Sequence, residues 1–154
     1  VLEQSVKNNV TLANLKKVVG SGLINGSEEK KAVDSYVQSL DIRTPSQQAL
    51  AKNLSGGNQQ KVVLAKWLFT DSDVLIFDEP TRGIDVGAKY EIYQLMNRLT
   101  EQGKSVLMVS SELPEIIGMC DRVLVLHNGR ITGEYTRDQF DQELIMRNAA
   151  GEAS

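Results

Sequence analysis

LSGGNQQKVVLAKWLFTDSDVLIFDEPTRGID, running from Leu54 to Asp85, is the stretch whose reading decides the fold. It holds a Ser-Gly-Gly turn opening a helical run and, at a fixed distance, an apolar strand ending in Asp78-Glu79. Val74-Leu75-Ile76-Phe77 is a continuous apolar run of the kind buried on both faces of a parallel sheet. Ligand chemistry in open α/β sheets gathers at the carboxyl ends of the strands, where these two acids stand. Carboxylates so placed can hold a divalent cation or polarise a water, which makes Asp78 and Glu79 candidates for those two roles. Taken alone, two solvated acids before Pro80 would be the commoner case.

The turn shifts that balance. Ser55, Gly56 and Gly57 precede a helix expected from about Asn58 to Thr70, in which Val62, Val63, Leu64, Ala65, Trp67 and Leu68 are available for a buried face. Free backbone N–H groups and the positive helix end meet at that turn, and glycine lets an anion approach the backbone closely. By itself Ser-Gly-Gly is usually only a cap or a turn.

Together these elements resemble one family. Leu54-Ser55-Gly56-Gly57-Asn58-Gln59-Gln60, Asp78-Glu79-Pro80-Thr81 and the Asp85 loop are similar to the signature motif, Walker B motif and D-loop of ATP-binding cassette ATPases. The fuller wording, with SSELPEIIGMCDRVLVLHNGRITGE further on, resembles the second cassette of tandem-cassette ribose, xylose and galactoside importers, from about Val1 to Ala150. The resemblance implies an α/β fold of the P-loop NTPase type, a mostly parallel sheet flanked by helices. Residues 1–53 would belong to a helical subdomain docking on membrane permease subunits, and residues 54–154 to the ATPase core. ATP and Mg²⁺ are the implied ligands. Ser55, Gly56, Gly57 and Gln59 would serve a nucleotide held mainly by a partner cassette; Asp78, holding the metal, Glu79, orienting the attacking water, and Ser111 would serve this cassette's own site, and Asp85 the D-loop. Further partners would be another cassette and, indirectly, a periplasmic or extracellular sugar-binding protein.

One departure stands out. Most cassettes carry a histidine after the strand that follows Walker B; aligning Val109-Ser110-Ser111-Glu112 places Ser111 there. A hydroxyl can hydrogen-bond phosphate but does not take up charge near neutral pH as imidazole does. That departure suggests a degenerate cassette that completes a partner's ATP site; a chromosome-maintenance ATPase is a further reading, since those share the signature and Walker B elements. The wording after Pro80 and the absence of long heptad arms disfavour the latter.

Composition agrees with one globular domain, 154 residues, 41% hydrophobic and 24% charged, and the alternation of helix and strand after Leu54 argues for α/β. A net charge of −3 argues against a nucleic-acid binder working through a basic surface. The single Cys120 cannot form an internal disulfide, and no apolar run approaches a bilayer's thickness. The expected place is the cytoplasmic face of the membrane, peripherally attached through a partner.

Along the chain, Val6, Val10, Leu12 and Leu15 suggest a short helix, Gly20, Gly22 and Gly26 a loop, and Ser27 a cap for a helix ending before Thr44-Pro45. Asp85 reads as the cap of a helix with Ile92, Leu95, Met96 and Leu99 on one face, stopped by Gly103. Arg82 reads as an ordinary loop arginine. Ser105–Ser110 and Arg122–Leu126 read as strands, and Asn128-Gly129 as a tight hairpin turn to Ile131–Tyr135. His127 reads as structural, Asp138–Ala150 as a closing helix and the residues after Gly151 as a frayed tail.

No G-x-x-x-x-G-K-[ST] occurs in the 154 residues, so the loop that would cradle the phosphates is not among them. The chain therefore resembles the back half of a cassette. In the family the phosphate-loop strand lies between the strands at 105–110 and 122–126. Two unpaired edges are expected to give a rearranged sheet, a swapped assembly or reduced stability.

Overall fold

The computed structural model describes residues 1–152. Two compact units emerge, Val1–Ile76 with Pro80–Leu107, and Phe77–Glu79 with Met108–Ser154.

In the first unit, α1 (Val6–Thr11) is capped by Ser5, whose hydroxyl accepts the Asn8 N–H at 3.1 Å. Six residues are too few for a helix to stand alone, so tertiary contacts hold it. Val6 and Val10 are fully buried, whereas Leu12 and Leu15 are largely exposed because the helix stops at Thr11. Glu29, buried on the next helix, receives the Lys7 ammonium at 2.5 Å and the Thr11 hydroxyl at 3.0 Å. A buried carboxylate tolerates its surroundings only when so paired.

Between these helices the expected loop is a small hairpin, β1 (Val19–Gly20) against β2 (Leu23–Ile24). Ser21 and Gly22 take φ of 53° and 83°, the two positive values a primed hairpin turn requires. The cap of α2 (Gly26–Ser39) is Asn25 rather than Ser27. Asn25 Oδ1 accepts from the N–H groups of Ser27 and Glu28, so the Ser27 amide is itself one of the orphan donors.

Helix α3 (Gly56–Leu68) begins two residues earlier than its apolar pattern suggests, since Ser55 caps it directly. Its buried stripe is Val62, Leu64 and Ala65, continued by Phe69; Val63 and Trp67, expected inside, are about half exposed. They sit four residues apart on the opposite side of the helix. Helix α4 (Val86–Glu101) buries Ile92, Leu95, Met96 and Leu99 as expected. Lys61, almost enclosed, joins the two helices through Glu91 at 2.5 Å and donates to the Asp41 carbonyl at 2.9 Å.

Strand β3 (Val74–Asp78) pairs with β4 (Ser105–Val109). Ser105 N–H reaches Asp73 O at the start and Glu79 N–H reaches Val109 O at the end, both at 2.8 Å, so the strands ascend together and are parallel. Leu75 and Phe77 are buried, but Val74 and Ile76 are 60% and 67% exposed. The two-faced burial expected of this run is therefore corrected: among the described residues only one face is covered.

The second unit adds α5 (Leu113–Met119), with Pro114 in its first turn, and the antiparallel hairpin β5 (Arg122–His127) with β6 (Arg130–Thr136). Asn128 and Gly129 turn it at φ of 48° and 75°. Val123 and Val125 pack on Ile145 of α6 (Gln142–Ala150). The closing segment is thus a 3-10 turn at Arg137–Gln139 followed by a separate helix capped by Asp141, not one helix from Asp138. His127 Nδ1 lies 2.9 Å from the Ala149 carbonyl, a structural tie. Half-burial of Cys120 pushes its thiol pKa up. Of the expected tail, Ala153 and Ser154 lie outside the described residues.

The sheet is not rearranged to close the expected gap. Among the described residues β4 pairs only with β3 and β5 only with β6, each keeping its own partner. No described helix is long and apolar enough to cross a membrane.

Ile92 is 2% exposed and Trp67 48% exposed. Denaturant unfolding should therefore show Ile92→Ala costing about 2–5 kcal/mol, and Trp67→Ala clearly less despite the larger side chain removed.

Candidate functional site

The first cluster forms at the amino end of α3. Ser55 Oγ caps the helix and receives the Asn58 side-chain amide at 2.8 Å. Gln59 turns back so that its amide donates to the Leu54 carbonyl at 2.9 Å, closing the turn from behind. The glycines differ in their reasons. A methyl on Gly56 would meet nothing within 4 Å, so its backbone lies open to a ligand. One on Gly57 would stand 3.0 Å from Ala88 Cβ, so glycine there lets α3 and α4 approach. Gly56 and Gln59 share a cleft of about 290 Å³ with Arg82, which the sequence reading had set aside. Its position next to Thr81, a residue 1% exposed, gives that loop a fixed root.

Asp85 belongs to this same unit. Its Oδ1 accepts the Ala88 N–H at 2.9 Å, the capping contact expected from the sequence. Ala88 is also the residue that faces Gly57, so the Asp85 cap orders the helix end on which the signature turn rests.

The second cluster lies in the other unit, where β3 ends. Asp78 is exposed at the last strand position. Glu79 turns the chain with φ of 45°, a left-handed conformation rare for a residue with a side chain. Two contacts hold it there. Its N–H bonds to Val109 O, and its Oε1 accepts the Ser111 N–H at 3.0 Å. Ser111 therefore meets Glu79 through its backbone, not through the hydroxyl singled out in the sequence. Ser110 and Glu115, which the sequence reading passed over, fix the same loop: Ser110 Oγ donates to Glu115 Oε2 at 2.5 Å and accepts the Glu112 N–H at 3.0 Å. Two hydroxyls beside a following acidic helix turn were the only signal for them.

An exposed carboxylate with open solvent about it is the donor Mg²⁺ ordinarily uses, because that ion keeps several waters and needs only one or two protein oxygens. Asp78 fits that requirement. Among the described residues no three His, Cys, Asp or Glu side chains converge as a complete cage would demand.

The architecture is that of an ATP-binding cassette. A solved dimeric cassette in a post-hydrolysis state bound to ADP and Pi superposes with a TM-score of 0.76 at 24% identity, over 91% of this chain and 60% of that one. Another cassette of an ABC transporter gives 0.79 at 19% identity, over 97% and 62%. The ABC transporter family model matches residues 1–82, and the chain belongs to that family. It is 54% identical over 98% of its length to the ribose import ATP-binding protein of Oceanobacillus iheyensis. To the xylose import ATP-binding protein of Thermoanaerobacter pseudethanolicus it is 54% identical over 95%. The chain spans about 30% of the first of these relatives and 29% of the second.

Substitutions at two positions separate backbone from side chain here. Glu79→Gly should be more stable than Glu79→Ala by about 1 kcal/mol in denaturant unfolding, because only glycine takes the left-handed backbone without strain. Asp85→Ala should cost about 1 kcal/mol while Asp85→Asn, an equally good cap, should leave stability within a few tenths.

Proposed function

We propose that the chain is the rear portion of a cassette that couples ATP hydrolysis to import of a monosaccharide such as ribose or xylose, working peripherally at the cytoplasmic face of a membrane. The observation that carries this reading is Glu79 held at the carboxyl end of β3, beside Asp78, in a chain about half identical to sugar-import ATP-binding proteins. Their names are what support a sugar as cargo; a cassette of this kind has no contact with it. Chromosome maintenance is set aside on the same grounds.

Glu79 Oε2 accepts a proton from water as the water oxygen forms its bond to the γ-phosphorus. The bond from that phosphorus to the β–γ bridging oxygen breaks, and ADP departs with the electron pair. Asp78 would hold Mg²⁺, which supplies charge neutralisation on the phosphate oxygens. Ser55 Oγ and the N–H groups of Gly56 and Gly57 would face a nucleotide bound mainly by another cassette, with the positive end of α3 behind them. Asp85 would join that partner-facing set, and permease subunits and an external sugar-binding protein would complete the importer.

In the intact protein Glu79→Gln should leave ATP binding within about twofold while lowering phosphate release by 100-fold or more. Undiminished release in that variant would remove Glu79 from the reaction and favour a cassette that completes its partner's site alone. Asp85→Asn, neutral in stability, should lower turnover if Asp85 acts across to a second cassette; unchanged turnover would leave it a helix cap only.

A further inference from the structure

We infer that Ser110 and Glu115 form a positioning pair that aims Glu79. The inference rests on the hydrolytic role proposed for Glu79 and adds how that carboxylate is oriented.

The contacts form one chain within one unit. Glu115 is 4% exposed, so its carboxylate is fixed by the packing of α5 and cannot swing into solvent. Its Oε2 accepts the Ser110 hydroxyl, and the same hydroxyl oxygen accepts the Glu112 N–H. Ser110 is thereby tied both forward and down, and only Ser111 lies between the two tied residues. The Ser111 N–H then has one direction, toward Glu79 Oε1 at 3.0 Å. A hydrogen bond to one carboxylate oxygen restricts the rotation of the group and leaves the other oxygen to accept from a water.

This pair is not ordinary helix capping. The cap of α5 is Glu112, whose side chain makes no capping hydrogen bond, and Ser110 lies two residues before it. Glu79 itself needs an external hold, because its left-handed backbone at φ 45° is otherwise strained. Its main chain is held by β4 through Val109 O, and its side chain by the loop that Ser110 and Glu115 set. The serine at position 111 is then tolerable, since the contact it makes is one any residue but proline could make.

The test uses the intact protein carrying Ser110→Ala, Ser110→Thr or Glu115→Ala, with three readouts: kcat and KM for ATP hydrolysis, thermal midpoint, and amide hydrogen exchange at Ser111. Ser110→Ala should lower kcat about tenfold with KM and thermal midpoint nearly unchanged, and should speed exchange at Ser111. Ser110→Thr, which keeps the hydroxyl, should restore both kcat and protection. Glu115→Ala should speed exchange at Ser111 in the same way. Should Glu115→Ala prove poorly folded, the serine pair decides alone. Unchanged kcat and protection in Ser110→Ala overturns the inference, as does a loss confined to KM or thermal midpoint, or a threonine variant as impaired as the alanine one. If instead Glu79→Gln leaves hydrolysis intact, the underlying role fails, while Ser111 exchange still reports separately whether the pair holds the loop.

Discussion

A left-handed residue at the end of a parallel strand is the constraint on which the arrangement around β3 and β4 depends. Glu79 must reverse the chain after β3 and present a carboxylate at the strand's carboxyl end, and both demands fall on one residue with a side chain. Such a conformation costs on the order of 1–2 kcal/mol and persists only when its surroundings over-determine it. Here β4 supplies the main-chain acceptor at Val109, and the loop after β4 supplies the donor at Ser111. Parallel pairing is therefore more than scaffolding: it brings the end of β4 level with the end of β3, so that one strand's exit loop can hold Glu79 at the end of the other.

The anion-facing half obeys a different constraint, the close approach of two helix ends. Gly57 has no room for a side chain because Ala88 stands opposite, and Asp85 fixes Ala88 by capping α4. Gly56, with open space about it, is left to meet a ligand. Adjacent glycines thus divide the work, one for packing and one for access. Lys61 and Glu91 repeat the connection about one turn further along, in an ion pair whose nearly enclosed lysine also holds the Asp41 carbonyl.

Much of this was legible in the residues. Ser55 before two glycines and an apolar stripe gave a capped helix; Asp85 gave another; Asn128-Gly129 gave the hairpin. The failures share one cause, which is that composition shows what could be buried but not what covers it. Val74, Ile76, Val63 and Trp67 read as core and are exposed, because each lies on a face that nothing in the described chain covers. Asn25 displaced Ser27 as a cap because both are good capping residues and only the backbone course chooses between them. Ser111 drew notice for its hydroxyl, whereas the structure uses its amide, a group every residue but proline carries and no side-chain pattern can flag. Ser110 and Glu115 matter through a shared hydrogen bond, which no single position announces.

The proposed reading is that these residues serve nucleotide sites, and no phosphate-cradling G-x-x-x-x-G-K-[ST] is among the 154 residues. The most direct measurement is a calorimetric titration of this chain with Mg-ATP, followed by phosphate release at the highest concentration reached. The account predicts no saturable heat and no turnover, since neither Gly56 at the head of α3 nor Asp78 and Glu79 at the end of β3 wraps a triphosphate. Saturable binding in the micromolar range, with turnover abolished by Glu79→Gln, would contradict it and place a complete site within the chain.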